Sequence, residues 1–184
     1  MENKVLALIA SFIAMSFVIT AYFVKNKKLY LLFEALCLTF LIVSYFFTVQ
    51  FFAMIGMFVA LIRALTFYAY EKKDRTAPLY WSFVFAISAV ASYLVVNLWI
   101  LKDAKLLDLL CVVGLIAYAF IFRIRNLKIV RYAMIFPTVL SILFNALTHA
   151  ALFSTLTYVF ELSANLASIV KYHILGHTPK NNSQ

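Results

Sequence analysis

Leu29 to Tyr70 reads LYLLFEALCLTFLIVSYFFTVQFFAMIGMFVALIRALTFYAY, 42 residues holding two charges, Glu34 and Arg63. As one helix this run would be about 63 Å long, twice the roughly 30 Å thickness of bilayer hydrocarbon. It must therefore turn back, near Thr48 to Phe51, and yields two spans, Tyr30 to Val49 and Phe51 to Tyr70. The same ruler, carried outward along the chain, places further spans at Val5 to Val24, Leu79 to Leu101, Leu106 to Phe122, Tyr132 to Ala150 and Ala151 to Lys171. A second reversal falls near Thr148 to Phe153. The expectation is an all-α integral membrane protein with seven transmembrane helices.

Composition agrees: 66% of the 184 residues are hydrophobic, 12% are charged, and the mean hydropathy is +0.98. A soluble domain of this size would be about a quarter charged and half apolar. With three glycines and no phosphate-cradling string, nucleotide chemistry is not implied either. Seven spans consume most of the chain and leave no room for a folded soluble domain. Val5 to Val24 is too long for a signal-peptide core and lacks a cleavage site, so it is kept as the first span.

Basic residues set the orientation, because loops rich in Lys and Arg stay in the cytoplasm. One side carries Lys25, Lys27, Lys28, Lys72, Lys73, Arg75, Arg123, Arg125, Lys128, Arg131, Lys171 and Lys180, and the other carries Lys4, Lys102 and Lys105. Twelve against three puts the N-terminus outside and the C-terminus inside. The net charge of +9 thus reflects topology and attraction to anionic headgroups of the lipid bilayer, not nucleic acid.

The loops repeat as span, basic loop, span, tight outer turn, span, over spans one to three and again over five to seven. A shift of 100 places Lys25-Asn26-Lys27-Lys28 on Arg125-Asn126-Leu127-Lys128, and Thr48 on Thr148. The expected arrangement is 3+1+3 within one transmembrane domain: residues 5–70 as one three-helix half, 79–101 as a linker helix, 106–171 as the other half and 172–184 as a cytoplasmic tail. The halves would be parallel, related by an axis along the membrane normal, which is one of the known transporter plans.

Charges deep in spans are expensive and are default candidates for function. Arg63 lies about 18 Å into span three and Glu161 about 15 Å into span seven, so the two are nearly level and a pair between them is expected. Ser154, Thr157, Glu161, Asn165 and Ser168, spaced 3, 4, 4 and 3, share one face of span seven, and that stripe cannot face lipid. Ser141, Asn145 and His149 in span six, and Ser88 and Ser92 in span four, are placed to line the same interior. Small polar residues also serve simply to hold helices together, and that is the favoured reading for Ser154, Thr157, Ser141, Ser88 and Ser92. Glu34, a few residues from the end of span two, is close enough to snorkel to the interface. Asp103 and Asp108 read as interfacial charges at the outer end of span five.

Gly56, Ala60 and Ala64 form a small-residue face suited to close helix contact. Pro137 removes a backbone bond within span six and can kink it. Cys37 and Cys111 read as small buried hydrophobes. His173 and His177 have a metal-binding spacing, but Gly176 and Pro179 favour a frayed tail. No metal is therefore expected. Neither H-E-x-x-H nor G-x-S-x-G occurs, and Glu161 with His149 is the sole conceivable acid and base pair, so an enzyme is not expected.

From about Ile9 to Tyr172 the chain resembles the YgjV-like proteins of the bacterial inner membrane, whose layout is similar to that of the SWEET, PQ-loop and PnuC transporters. The motif is an Asn-x-x-Arg near the inner end of spans three and seven, with a further Asn before the second and one late in span six. Arg63, Asn145 and Asn165 match it, whereas Ala60, Ser168 and Lys171 stand where it has Asn, Asn and Arg, and no Pro-Gln dipeptide occurs in span one. The resemblance implies residence in the bacterial cytoplasmic (inner) membrane and a 3+1+3 bundle. It supplies no substrate.

These readings converge on a transporter or facilitator of a small polar solute, bound mid-membrane by Arg63, Asn145, Glu161 and Asn165 without cofactor or metal. The alternative is a non-transporting scaffold or accessory subunit whose polar stripe binds a partner helix. Homo-oligomerisation is left open.

Overall fold

A computed structural model describes residues 2–47, 51–95, 107–147 and 152–175. Every regular element among them is helical: α1 (Glu2–Phe23), α2 (Lys27–Phe47), α3 (Phe51–Lys72), α4 (Leu79–Tyr93), α5 (Asp108–Ile121), α6 (Leu127–Leu147) and α7 (Leu152–Ile169), followed by a π-helical turn at Val170–Ile174. The long apolar run forms two helices packed on each other, α2 to Phe47 and α3 from Phe51, and its later counterpart forms α6 to Leu147 and α7 from Leu152, while residues 48–50 and 148–151, where the reversals were expected, lie outside the described residues. α4 stops at Tyr93 and α5 starts at Asp108, and residues 96–106, where both spans were to continue, lie outside the described residues. Four stretches are both long and apolar enough to cross a membrane: Val5–Phe23, Lys27–Phe47, Met54–Lys72 and Leu127–Phe144.

The outer surface of the bundle is apolar, and a set of polar side chains lies within its otherwise apolar core. Ile87, Phe46, Phe12 and Ile62 are more than half exposed, while Glu34, Arg63, Thr138, Glu161 and Asn165 are buried. Apolar surface of that kind is at equilibrium against lipid, where polar groups must find partners inside.

Neighbouring helices form a closed ring in the order α3, α2, α1, α7, α6, α5, α4 and back to α3. Close packing of α1 on α2 comes from small residues: Ala7, Ala10, Ala14 and Ala21 are all buried at helical spacing, Ser44 donates to the Ala7 carbonyl at 3.0 Å, and Ser11 meets Ser44 at 2.8 Å. The small face expected on α3 is only partly used. Ala60 and Ala64 are buried, but a Cβ at Gly56 would meet nothing within 4 Å among the described residues.

One end of the ring is held by charge. Glu71, at the end of α3, accepts from Lys27 at 3.3 Å and lies 3.8 Å from Arg125, and Asp74 lies 3.6 Å from Lys28 and 3.5 Å from Arg125. α3 closes in a Schellman turn, with Arg75 N–H bonded to the Tyr70 carbonyl and Asp74 N–H to that of Glu71. Asp74 occupies its left-handed position, with φ of 53°.

Candidate functional site

Six helices send polar side chains into the ring's interior. From α7, Glu161 accepts a hydrogen bond from the Tyr22 hydroxyl of α1 at 2.8 Å, and Thr138 of α6 lies 3.2 Å from the same carboxylate oxygen. Thr138 also reaches back to the Met134 carbonyl at 2.8 Å and touches the Tyr118 hydroxyl of α5 at 3.5 Å. Among the described residues Glu161 thus belongs to a chain of hydroxyls and not to a salt bridge.

Arg63 of α3 takes a different seat. Its guanidinium lies 5.2 Å from the Tyr118 ring centroid and 4.9 Å from that of Phe122, and its Nη1 donates to the Leu115 carbonyl at 3.3 Å. A planar, weakly hydrated cation suits such ring faces better than an ammonium would. Among the described residues no ion pair within 4 Å joins Arg63 to a carboxylate, so the expected pairing of Arg63 with Glu161 is corrected. The carboxylate acting most strongly on Arg63 is Glu34. Glu34, in turn, is buried and feels the charges of both Glu161 and Arg63.

That position corrects the snorkelling reading of Glu34. It is 8% exposed and lies on the inward face of α2 with Tyr30, Leu31, Ala35 and Leu38, at the spacing of a single helical stripe. Tyr30 meets Tyr22 edge to face at 5.7 Å and Phe122 at 6.2 Å, which extends an aromatic wall beside the carboxylates. Several valences in this interior stay open among the described residues: Glu34 Oε2, Arg63 Nε and Asn165 Oδ1 are buried without a hydrogen-bond partner. Buried polar atoms in that condition are uncommon and costly.

Asn165 lies one turn beyond Glu161 on the same face, fully buried, and donates through Nδ2 to the Arg131 carbonyl at 2.8 Å. Its neighbours Thr157 and Ser168 are buried as well. The stripe read from sequence therefore does face inward from Thr157 to Ser168. Asn145 lies on α6, but its side chain is outside the described residues, as are those of Ser154, His149, Cys111, His173 and His177. Cys37 is buried and free. Among the described residues no cluster of three His, Cys, Asp or Glu side chains exists to hold a metal.

Arg131 closes the site toward the charged end. Its Nη2 donates to the carbonyls of Tyr22 and Val24 at 3.0 and 2.7 Å, while the Tyr172 hydroxyl donates to the Phe23 carbonyl at 2.8 Å. The exposed carbonyls of the α1 C-terminus are thereby satisfied, with a cation against the negative end of the helix dipole. Tyr22, Tyr30, Glu34, Tyr118, Thr138 and Arg131 all escaped the sequence reading as members of the site. Tyr30 and Glu34, four residues apart with Cys37 three further on, carried the readable signal.

The profile of a family described as bacterial inner membrane protein matches residues 5–175. The chain belongs to this YgjV family. No curated protein and no solved structure matches it. As a YgjV-family member with several helices able to span a bilayer, it is a multi-pass protein of the bacterial inner membrane.

Proposed function

We propose that this YgjV-family protein transports, or facilitates the passage of, a small polar solute between α1–α3 and α5–α7, with α4 as linker. In this 3+1+3 reading the N-terminus lies outside, the C-terminus inside, and the end bearing Lys27, Lys28, Glu71, Asp74 and Arg125 faces the cytoplasm. The observation that carries the proposal is the buried set Glu34, Arg63 and Glu161, contributed by both halves, with polar atoms left unpartnered around it. Such groups at membrane depth mark solute or ion pathways by default. The repeat is supported by the caps of α2 and α6, where Asn26 and Asn126 make the same bond.

Arg63, Glu161 and Asn165 are the proposed solute contacts from the sequence, with Asn145 kept as a fourth and Glu34 added. The inward direction of Thr157, Glu161, Asn165 and Ser168 favours transport over the scaffold reading, which needs the stripe on an outer surface. Similarity of layout to SWEET, PQ-loop and PnuC transporters supports the same reading by fold analogy. No catalytic activity is proposed.

The test is the thermal stability of purified wild type and Glu161→Gln across sugars, vitamins, amino acids and organic cations. A compound that stabilises wild type and not the variant supports a solute site at α7. If nothing shifts either protein and Glu161→Gln only lowers the baseline, Glu161 is a structural group and the scaffold reading replaces transport.

A further inference from the structure

The charge of the solute follows from the charge of the site, an inference that rests on the transport reading above. Glu34, Arg63 and Glu161 are 8%, 5% and 5% exposed, two acids and one base shut into the same interior. With both carboxylates ionised the set carries one unbalanced negative charge; one more positive charge makes it neutral. Burial of this degree strongly favours the neutral condition.

Nearby cations do not supply that charge. Arg131 is engaged with the Tyr22 and Val24 carbonyls and stacks 4.8 Å over the Tyr172 ring. Lys27, seven residues before Glu34, is held by Glu71. What faces Glu161 is Tyr22 from α1, Glu34 from α2 and Thr138 from α6, with Tyr118 of α5 against Thr138. Around Glu34 stand Arg63 from α3, Glu161 from α7, and Tyr30 and Cys37 from its own helix. Beyond it, Tyr158 of α7 acts on Arg63.

Two further observations point to the kind of ligand. Glu34 Oε2 is buried with no donor among the described residues, so one carboxylate oxygen is open to a positively charged partner. The adjoining wall is aromatic, and its Tyr118 and Phe122 faces already seat one cation, Arg63. Alkali and alkaline-earth ions require a shell of several oxygens, whereas ring faces beside a carboxylate suit an organic cation.

We propose that this interior holds one positive charge at a time, either a proton on Glu34 or Glu161 or a small monovalent organic cation between those carboxylates and the aromatic wall, and exchanges one for the other across the membrane. Entry of the cation displaces the carboxyl proton to the solution from which the cation came. On the far side a proton binds the vacated carboxylate and the cation leaves. One charge replaces one charge, and the cycle is electroneutral.

The probes are tetramethylammonium and choline, which carry no dissociable proton on nitrogen, with a neutral sugar as control. In weakly buffered detergent solution, binding of either cation to the full-length protein is expected to release one proton. In liposomes with an acidic lumen, the same cations are expected to enter and raise the lumenal pH at a rate indifferent to membrane potential. Both signals should disappear in Glu161→Gln and in Glu34→Gln, and return in part in Glu161→Asp. Should the variants not fold, the unaltered protein still decides, because displacement of one proton weakens apparent cation affinity about tenfold for each pH unit of acidification below the carboxyl pKa. Cation binding that is independent of pH overturns the exchange. Sugar uptake without cation-dependent proton movement overturns it while leaving the transport reading standing. Proton release without any flux overturns both exchange and transport and leaves a cation-binding site, and the absence of all signals overturns both readings.

Discussion

Asn26 and Asn126, one hundred residues apart, make the same bond: each side-chain Oδ1 accepts the backbone N–H two residues on, at 2.8 and 2.9 Å, and each carbonyl accepts the first bond of the helix that follows. They are the N-caps of α2 and α6. Removing such a cap costs about 1 kcal/mol. Asn26→Ala and Asn126→Ala are expected to lower stability by similar amounts in detergent, and Asn→Asp at either position by less. Strongly unequal losses, in chemical denaturation of the single variants, would count against treating the two helices as equivalents.

The matching caps were visible in the sequence, because a shift of 100 already aligned the two Asn residues, and caps are local chemistry. The division of the long apolar run into two packed helices, α2 and α3, was equally legible, since a length limit needs no knowledge of neighbours. Glu34 was not. Its distance from the helix end suggested escape to the interface, but its direction is fixed by packing around Tyr30, Leu31 and Leu38, which no linear distance reports. The partner of Glu161 was also beyond reach: Tyr22 lies one residue from the end of α1, where a tyrosine reads as an interfacial aromatic, and its 2.8 Å bond is 139 residues long in sequence. Level depth made Arg63 look like the partner, yet depth leaves the azimuth of each helix undetermined.

The electrostatic coupling of Glu34 to Arg63 and Glu161 is testable by a double-mutant cycle. Arg63→Ala leaves Glu34 buried without the cation that acts on it, so Glu34→Gln should be less damaging, or even restorative, in that background. Coupling between groups that interact directly falls at about 0.5–3 kcal/mol. The Arg63 and Glu34 pair is expected to exceed the Arg63 and Glu161 pair, with each stability read from denaturation in detergent. Arg63→Lys should recover only part of the loss, because the ammonium cannot lie flat on Tyr118 and Phe122.

Lys27 and Glu71 form the most enclosed ion pair at the charged end, with side chains 6% and 10% exposed. Breaking such a pair from one side leaves a buried charge and costs about 3–5 kcal/mol, while replacing both partners with apolar residues is often neutral. Glu71→Ala is expected to be severe. Lys27→Met combined with Glu71→Leu should recover most of the loss, and thermal unfolding of the purified single and double variants measures both. A double variant no more stable than the single would mean that Glu71 matters mainly through Arg125, 3.8 Å away.

Asp74 sits where helices commonly place glycine, at φ of 53° in the turn that ends α3. A left-handed conformation costs an ordinary residue about 1–2 kcal/mol, less for Asp, whose short side chain can bond locally. Lys28 and Arg125 lie within 3.6 Å of its carboxylate, but exposed ion pairs of this type contribute about 0–1 kcal/mol. Relief of backbone strain and loss of those contacts therefore oppose each other in Asp74→Gly, and glycine's freer unfolded chain offsets part of the relief. The expected change is within about 0.5 kcal/mol of zero, the size of an ordinary surface substitution. Asp74→Val combines lost contacts with a β-branched side chain at positive φ, and should cost at least about 1 kcal/mol. If the two variants unfold at the same temperature, the turn tolerates any residue at this position, and charge rather than backbone conformation accounts for the aspartate.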